Sequence, residues 1–219
     1  MKNLLISDFD GTLLRESKKQ LLNDLSLIKK NDIELIIATG RTKEDFIDFI
    51  EVNEIVPFCE KFVFSSGSLI FDAYYNEEKY FYFDSGKLEF LFKLLDKKNA
   101  KYVGRIDGDE YVEQFNDNLK KVTQVNVSFN EKVDTFEAIE LISVLGFEVK
   151  RVSNLFLSVM PKQVSKVESA LRMISIENYK KIYAIGNDSA DCSFLANEFV
   201  TGKIIETEEI SFDKILELF

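Results

Sequence analysis

Four short apolar runs, each closed by a turn signal, limit what this chain can fold into: Lys2 to Ser7, Ile33 to Ala38, Lys61 to Phe64 and Lys181 to Ile185. They are continuous rather than alternating, the pattern of strands buried on both faces. Helical patterns lie between them. Leu21, Leu22, Leu25 and Ile28 give apolar spacing over Leu21 to Lys30. Thr42, with Asp45 three residues on, reads as an N-cap for a helix to about Val52. Ser165 and Glu168 form a capping-box pattern for a helix to about Ile174. A helix over Ala190 to Asn197, a short strand at Phe199 to Thr201 and an amphipathic helix over Phe212 to Phe219 complete the series. Strands alternating with helices predict an α/β fold, a doubly wound parallel sheet.

The pattern changes in the middle of the chain. Lys79 to Phe83, Ala100 to Ile106, Glu110 to Phe115, Val122 to Phe129, Phe147 to Val152 and Leu155 to Met160 read as strands. Asp107-Gly108 is a hairpin turn signal. Helices are expected at Leu88 to Asp96 and at Thr135 to Leu145, the latter stopped by Gly146. This section reads as an inserted α+β module over 76–160, interrupting a core domain of 1–75 and 161–219. Right-handed crossovers then set the Lys181 strand beside the Lys2 strand, where the strand order reverses. Ligands of open α/β sheets bind beyond the carboxyl ends of strands at that point. Asp8, Asp10 and Asp191 converge there, with Thr39 nearby.

Composition narrows the chemistry. The chain contains no histidine, which removes Ser-His and Cys-His nucleophile pairs, His-built zinc sites and His proton shuttles. The formal net charge of −10 disfavours nucleic acid and anionic membranes as partners. Cys59 and Cys192 lack metal-ligand or redox spacing. The N-terminal apolar run is too short for a signal peptide or a membrane span, so a cytoplasmic protein is the expectation.

Catalytic chemistry must therefore rest on carboxylates, Lys, hydroxyls or a metal. In "SDFDGT" the bland reading is an acidic strand-ending turn. Yet residues i and i+2 of an extended chain face the same way, so Asp8 and Asp10 aim at one point. A divalent cation would offset their repulsion. In "IIATGR" the Thr39 hydroxyl and the backbone N–H groups from Gly40 onward are either an ordinary strand-to-helix loop or an anion cradle. Lys166 opens a helix, where the dipole disfavours a cation unless an anion is bound. In "AIGNDSAD" Asn187, Asp188 and Asp191 crowd a strand end, either as turn formers or as part of the acidic cluster.

In this order the four segments resemble the motifs of the haloacid dehalogenase-like (HAD) phosphohydrolase superfamily. "DFDGTLL" resembles the first, Thr39 in "ATGR" the second, Lys166 the third and "GNDSAD" the fourth. The insertion resembles the α/β cap of the Cof-like branch, as does "FSSGSLI" ahead of it. The resemblance implies an Mg²⁺-dependent phosphatase acting on a small phosphorylated metabolite, a sugar phosphate by family analogy. In it Asp8 is the nucleophile that forms an aspartyl-phosphate and Asp10 the general acid and base. Thr39, Gly40 and Lys166 bind the phosphoryl group. Mg²⁺ is held by Asp8, the Asp10 carbonyl and fourth-motif side chains among Asn187, Asp188 and Asp191. Arg41, beside Thr39, is the expected substrate contact. The cap cations Lys101, Arg105, Lys150 and Arg151 stand as candidates for a second anionic group or as solvated surface charges.

Two departures stand out. Asn187 occupies the usual metal-binding Asp position, predicting weaker metal affinity or a shifted loop in which Asp188 is the ligand. Ser66 replaces the usual Asn before Gly67. The alternatives are a sugar phosphomutase using the same aspartyl-phosphate, and a degenerate domain that binds a phosphorylated ligand without turnover. Oligomeric state is not legible in the sequence.

Overall fold

Leu4, Leu5 and Ile6 have no exposed surface, each contributing about 1.5–3 kcal/mol over an exposed position. They belong to β1 (Lys2–Asp8), the middle of the parallel part of the larger sheet. The computed structural model describes residues 1–50, 52–108, 110–112, 116–187, 195, 197–204 and 217. The chain divides into two compact units, Met1–Lys79 with Lys166–Phe219, and Tyr80–Ser165.

The first unit contains, in chain order, β1, α1 (Lys18–Lys30), β2 (Ile33–Ala38), α2 (Lys43–Phe49), α3 (Val52–Ile55), β3 (Lys61–Phe64), β4 (Leu69–Asp72) and β5 (Glu77–Tyr80). After the second unit come α6 (Lys166–Leu171), β11 (Tyr179–Gly186) and β12 (Thr201–Ile204). The sheet order is β12-β11-β1-β2-β3-β4-β5. Pairing is parallel from β12 to β3, with Leu5 opposite Leu35 on one side and Tyr183 on the other. The expected adjacency of the first and Lys181 strands is present.

Several elements differ from expectation. Leu69–Asp72 is a strand that the sequence did not announce, because it follows a loop of serines. It pairs antiparallel with β3. The aromatic strand expected at Lys79–Phe83 forms earlier, over Glu77–Tyr80, and extends this sheet beyond β4. α2 ends at Phe49 because Ile50 is extended. α6 ends at Leu171, short of Ile174. The last strand lies at Thr201–Ile204 rather than Phe199–Thr201. The expected helix at 190–197 lies mostly, and that at 212–219 almost wholly, outside the described residues.

Local signals do fix the helix starts near the sheet. Ser17 accepts from the Gln20 N–H and Thr42 from the Asp45 N–H, each supplying one of the amide acceptors a helix lacks at its first turn. Phe9, Phe46, Phe62 and Phe64 are buried together, Phe46 lying 4.8 Å from Phe9 and 5.4 Å from Phe64 between ring centroids. These rings fasten α2 to the ends of β1 and β3, and so fix the loop that precedes α2.

The second unit holds α4 (Ser85–Lys97), β6 (Lys101–Ile106), β7 (Glu110–Val112), β8 (Val122–Ser128), α5 (Lys132–Val144), β9 (Glu148–Arg151) and β10 (Phe156–Met160). Its antiparallel sheet runs β7-β6-β8-β10-β9. Leu88, Leu91, Leu95, Ala138 and Ile142 of the helices share one core with Val125, Val127, Leu157 and Val159 of the sheet. Gly146 ends α5 with φ +81°, as its glycine required. Among the described residues no helix is long and apolar enough to cross a membrane.

Candidate active site

Asp8 is the last residue of β1 and is 5% exposed. A buried carboxylate needs a cation and hydrogen bonds. Lys166, the first residue of α6 and 6% exposed, supplies the cation, with Nζ 2.5 Å from Asp8 Oδ1. Thr12 Oγ1 donates to Asp8 Oδ2 at 3.3 Å. Lys166 stands where the helix dipole is unfavourable, and the anion beside it is the Asp8 carboxylate, where the sequence suggested a bound phosphate. Thr12 went unremarked, although it lies inside the first motif.

The chain leaves β1 in a tight reversal. Leu14 N–H donates to Phe9 O at 2.8 Å and Gly11 N–H to Leu14 O at 2.8 Å. Gly11 has φ +76°, and a Cβ built there would lie 2.2 Å from Asn187 Nδ2. Its backbone angle favours glycine, and an added Cβ would displace the end of the Asn187 side chain, which approaches from the end of the neighbouring β11. Beyond the turn, Arg15 pairs with buried Asp24 of α1 at 2.5 Å, and the Gln20 amide donates to Asp24 as well. This ties the loop to the helix that follows.

Asp10 faces a different environment: its side chain is 47% exposed and Arg41 holds it bidentately. Arg41 Nη2 lies 2.6 Å from Oδ1 and Nε 2.9 Å from Oδ2. The Arg41 guanidinium also lies 4.3 Å from the Phe49 ring centroid. Its pKa is raised, first by the hydrogen bond to Asp10 and by that carboxylate's charge, against the opposing effect of burial. Each carboxylate thus has its own cation. Arg41, expected on the substrate, rests on Asp10.

Thr39 follows β2 and is fully buried. Its N–H donates to Val63 O at 2.8 Å, its hydroxyl accepts from Arg41 N–H at 3.1 Å, and its Oγ1 lies 3.5 Å from Asp10 Oδ2. Gly40 lies beside Ser66, whose Oγ would be 3.5 Å from an added Cβ. Ser66 N–H donates to Thr39 O and Ser65 N–H to Arg41 O, at 3.0 and 2.7 Å. Both serines have positive φ. Ser169, one turn beyond Lys166, donates to Gly67 O at 2.7 Å. The Ser65–Gly67 turn therefore braces the Thr39–Arg41 loop on one side and α6 on the other. In the sequence this turn was marked by the resemblance of "FSSGSLI" and by the Ser-for-Asn replacement, not by its contacts.

Asp8, Asp10, Thr39, Gly40, Arg41, Lys166 and Asn187 are thus set around the carboxyl ends of the inner strands β1, β2 and β11. Asp188 and Asp191 lie outside the described residues. The candidate ligand side chains among the described residues are oxygen-bearing, the Asp8 carboxylate at the end of β1 and the amide of Asn187, whose nitrogen is the atom nearer Gly11. That set fits a hard divalent cation such as Mg²⁺ rather than a thiophilic metal. Among the described residues no group of three or more acidic or cysteine side chains gathers as a metal cluster.

Residues 5–145 match the family model described as haloacid dehalogenase-like hydrolase. The chain belongs to that family. The HAD-like core is shared with solved structures at low sequence identity. A HAD-superfamily phosphatase from Bacteroides thetaiotaomicron is 17% identical, with TM-score 0.72 over 100% of this chain and 95% of that one. A HAD subclass IIB sugar phosphatase is also 17% identical, with TM-score 0.69 over 100% and 99%. A haloacid dehalogenase-like hydrolase from B. subtilis is 16% identical, with TM-score 0.70 over 90% and 86%. At such identities the likeness is one of fold. No curated protein matches the sequence.

Proposed function

We propose that this HAD-like hydrolase is an Mg²⁺-dependent phosphatase acting on a small phosphate monoester through an aspartyl-phosphate. The observation that carries this reading is the buried Asp8–Lys166 pair at 2.5 Å, formed by residues 158 positions apart at the end of the central strand. A buried ion pair is seldom the most stable choice for a core. It is well suited to a nucleophile that must stay ionised beside a cation able to bind phosphoryl oxygens.

An Asp8 oxygen attacks phosphorus as the bond to the leaving alkoxide breaks. Asp10 protonates that alkoxide, then takes a proton from the water that cleaves the acyl phosphate. Thr39, the Gly40 N–H and Lys166 hold the phosphoryl oxygens as charge shifts among them. A bound Mg²⁺, held by Asp8, the Asp10 carbonyl, Asn187 and Asp188 or Asp191, would supply further charge neutralisation at the phosphoryl group. Asp10 cannot hand over a proton while gripped by Arg41, so Arg41 moves onto an anionic part of the substrate as the ester binds. The sugar phosphatase among the solved neighbours favours a sugar phosphate. The second unit, Tyr80–Ser165, is read as the cap that selects the leaving group.

The test is a panel of phosphate esters with and without Mg²⁺, run on wild type and Asp8→Asn. Metal-dependent phosphate release that vanishes in the variant supports the reading. Equal background release by both proteins would overturn it.

A further inference from the structure

Of the amides that follow β2, one is already taken: Arg41 N–H donates to Thr39 Oγ1 at 3.1 Å. The Gly40 N–H differs. Among the described residues it meets no acceptor, and Gly40 is exposed. Its direction is fixed by the peptide it belongs to. No described peptide bond is cis, so the Thr39 carbonyl and the Gly40 N–H lie in one plane and point opposite ways. That carbonyl accepts from Ser66 N–H at 3.0 Å, and the Arg41 carbonyl accepts from Ser65 N–H at 2.7 Å. Two successive amides of one turn thus grip the loop on either side of Gly40 and leave its N–H facing away from the turn.

To present both amides, Ser65 and Ser66 hold φ +49° and +58°, a region that residues with a Cβ rarely occupy. Such conformations persist only where the surroundings over-determine them. Ser65 and Ser66 are buried, and the next carbonyl, Gly67 O, accepts from Ser169 Oγ at 2.7 Å. Ser169 is fully buried in α6, three residues beyond Lys166 and so on the same helix face. Alanine suits a buried helix position better than serine, which leaves the bond to Gly67 as the hydroxyl's contribution. We propose, resting on the phosphatase reading above, that Ser169 is a positioning residue. Through the Ser65–Gly67 turn it aims the Gly40 N–H, and through α6 it keeps Lys166 in register with that donor for the phosphoryl oxygens. Donors held in place before the reaction need no reorganisation as charge shifts, so their benefit falls on the transition state.

The test compares Ser169→Ala with wild type. Steady-state kinetics use the best ester from the panel, and ¹H–¹⁵N spectra follow titration with inorganic phosphate in the presence of Mg²⁺. Circular dichroism melts control for folding, and Ser169→Cys, close in size with a weaker donor, replaces the alanine variant should that misfold. The expected result is a kcat about tenfold lower with KM changed by less than about twofold. The Gly40 amide resonance is expected to move in the variant and to respond less to phosphate than in wild type. A variant with wild-type kcat, a loss confined to KM, or a Gly40 resonance that has not moved overturns the positioning role and leaves the phosphatase reading intact. A wild type that releases no phosphate, yet shows a phosphate-induced Gly40 shift that the variant weakens, removes the phosphatase reading and supports the positioning role. A wild type with neither turnover nor that shift overturns both.

Discussion

Arg41 grips Asp10 through two nitrogens, Nη2 to Oδ1 at 2.6 Å and Nε to Oδ2 at 2.9 Å. A planar fork can do this and an ammonium cannot. Arg41→Lys keeps the charge but loses the fork and its stacking on Phe49. On the best ester from the panel, kcat/KM is expected to fall about 10–100-fold, the scale of a misplaced catalytic group. Steady-state kinetics that leave kcat/KM unchanged would remove Arg41 from the site.

Lys166→Met strips the cation from a carboxylate that is 5% exposed. Removing one partner of a buried pair typically costs about 3–5 kcal/mol. Urea unfolding should show a loss of that order. Lys166→Met combined with Asp8→Asn should recover most of it while remaining inactive. If the double variant is no more stable than the single one, the lysine is doing something other than neutralising Asp8.

Gly11→Ala meets two obstacles, the positive φ and the Asn187 amide 2.2 Å from the new methyl carbon. A loss of about 1–3 kcal/mol is expected from the backbone angle together with the displaced amide. Adding Asn187→Gly should relieve only the steric part, so the two changes couple in a double-mutant cycle. Strict additivity would mean that the amide moves aside without cost.

β1, β2, β3 and β11 were legible because their largely apolar runs are buried, whereas β12, reading TGKI and partly exposed, was expected two residues early. β4 was not, because its short apolar run follows a loop of serines, and β5 was displaced because the edge strand reading EEKY is mostly polar. Of the candidate site, Asp8, Asp10, Thr39 and Lys166 stood out in the sequence by residue type, and the structure brings them to the same end of the parallel strands. What escaped were pairings that only three dimensions reveal: Lys166 on Asp8, Arg41 on Asp10, and the Ser65–Gly67 turn beneath both loops. Residue spacing shows that a lysine opens a helix, but not which anion waits there.

Three tyrosines give a pH signature. Tyr82 donates to Asp107 at 2.8 Å, Tyr102 to Asp96 at 3.0 Å and Tyr179 to Glu34 at 2.8 Å. Burial first, then the bonded carboxylate, pushes Tyr82 and Tyr102 up to about 12 and raises Tyr179 as well. Raised values mean that the stabilisation is complete below the ordinary tyrosine value of about 10 and is lost as pH rises through the folded-state values. Ultraviolet titration of the eight tyrosines should show a late-ionising group, reduced by Tyr82→Phe. A single step near the ordinary value would contradict the pairings.

The contacts that complete the candidate site join Asp8 to Lys166 and Gly11 to Asn187, so the end of the first strand stays unfinished until residues 166 and 187 have left the ribosome. A nascent chain halted before residue 166 would carry both aspartates with neither Lys166 nor Asn187 in place. On the proposed function, a capacity for turnover then arrives only once both of these distant residues have been made.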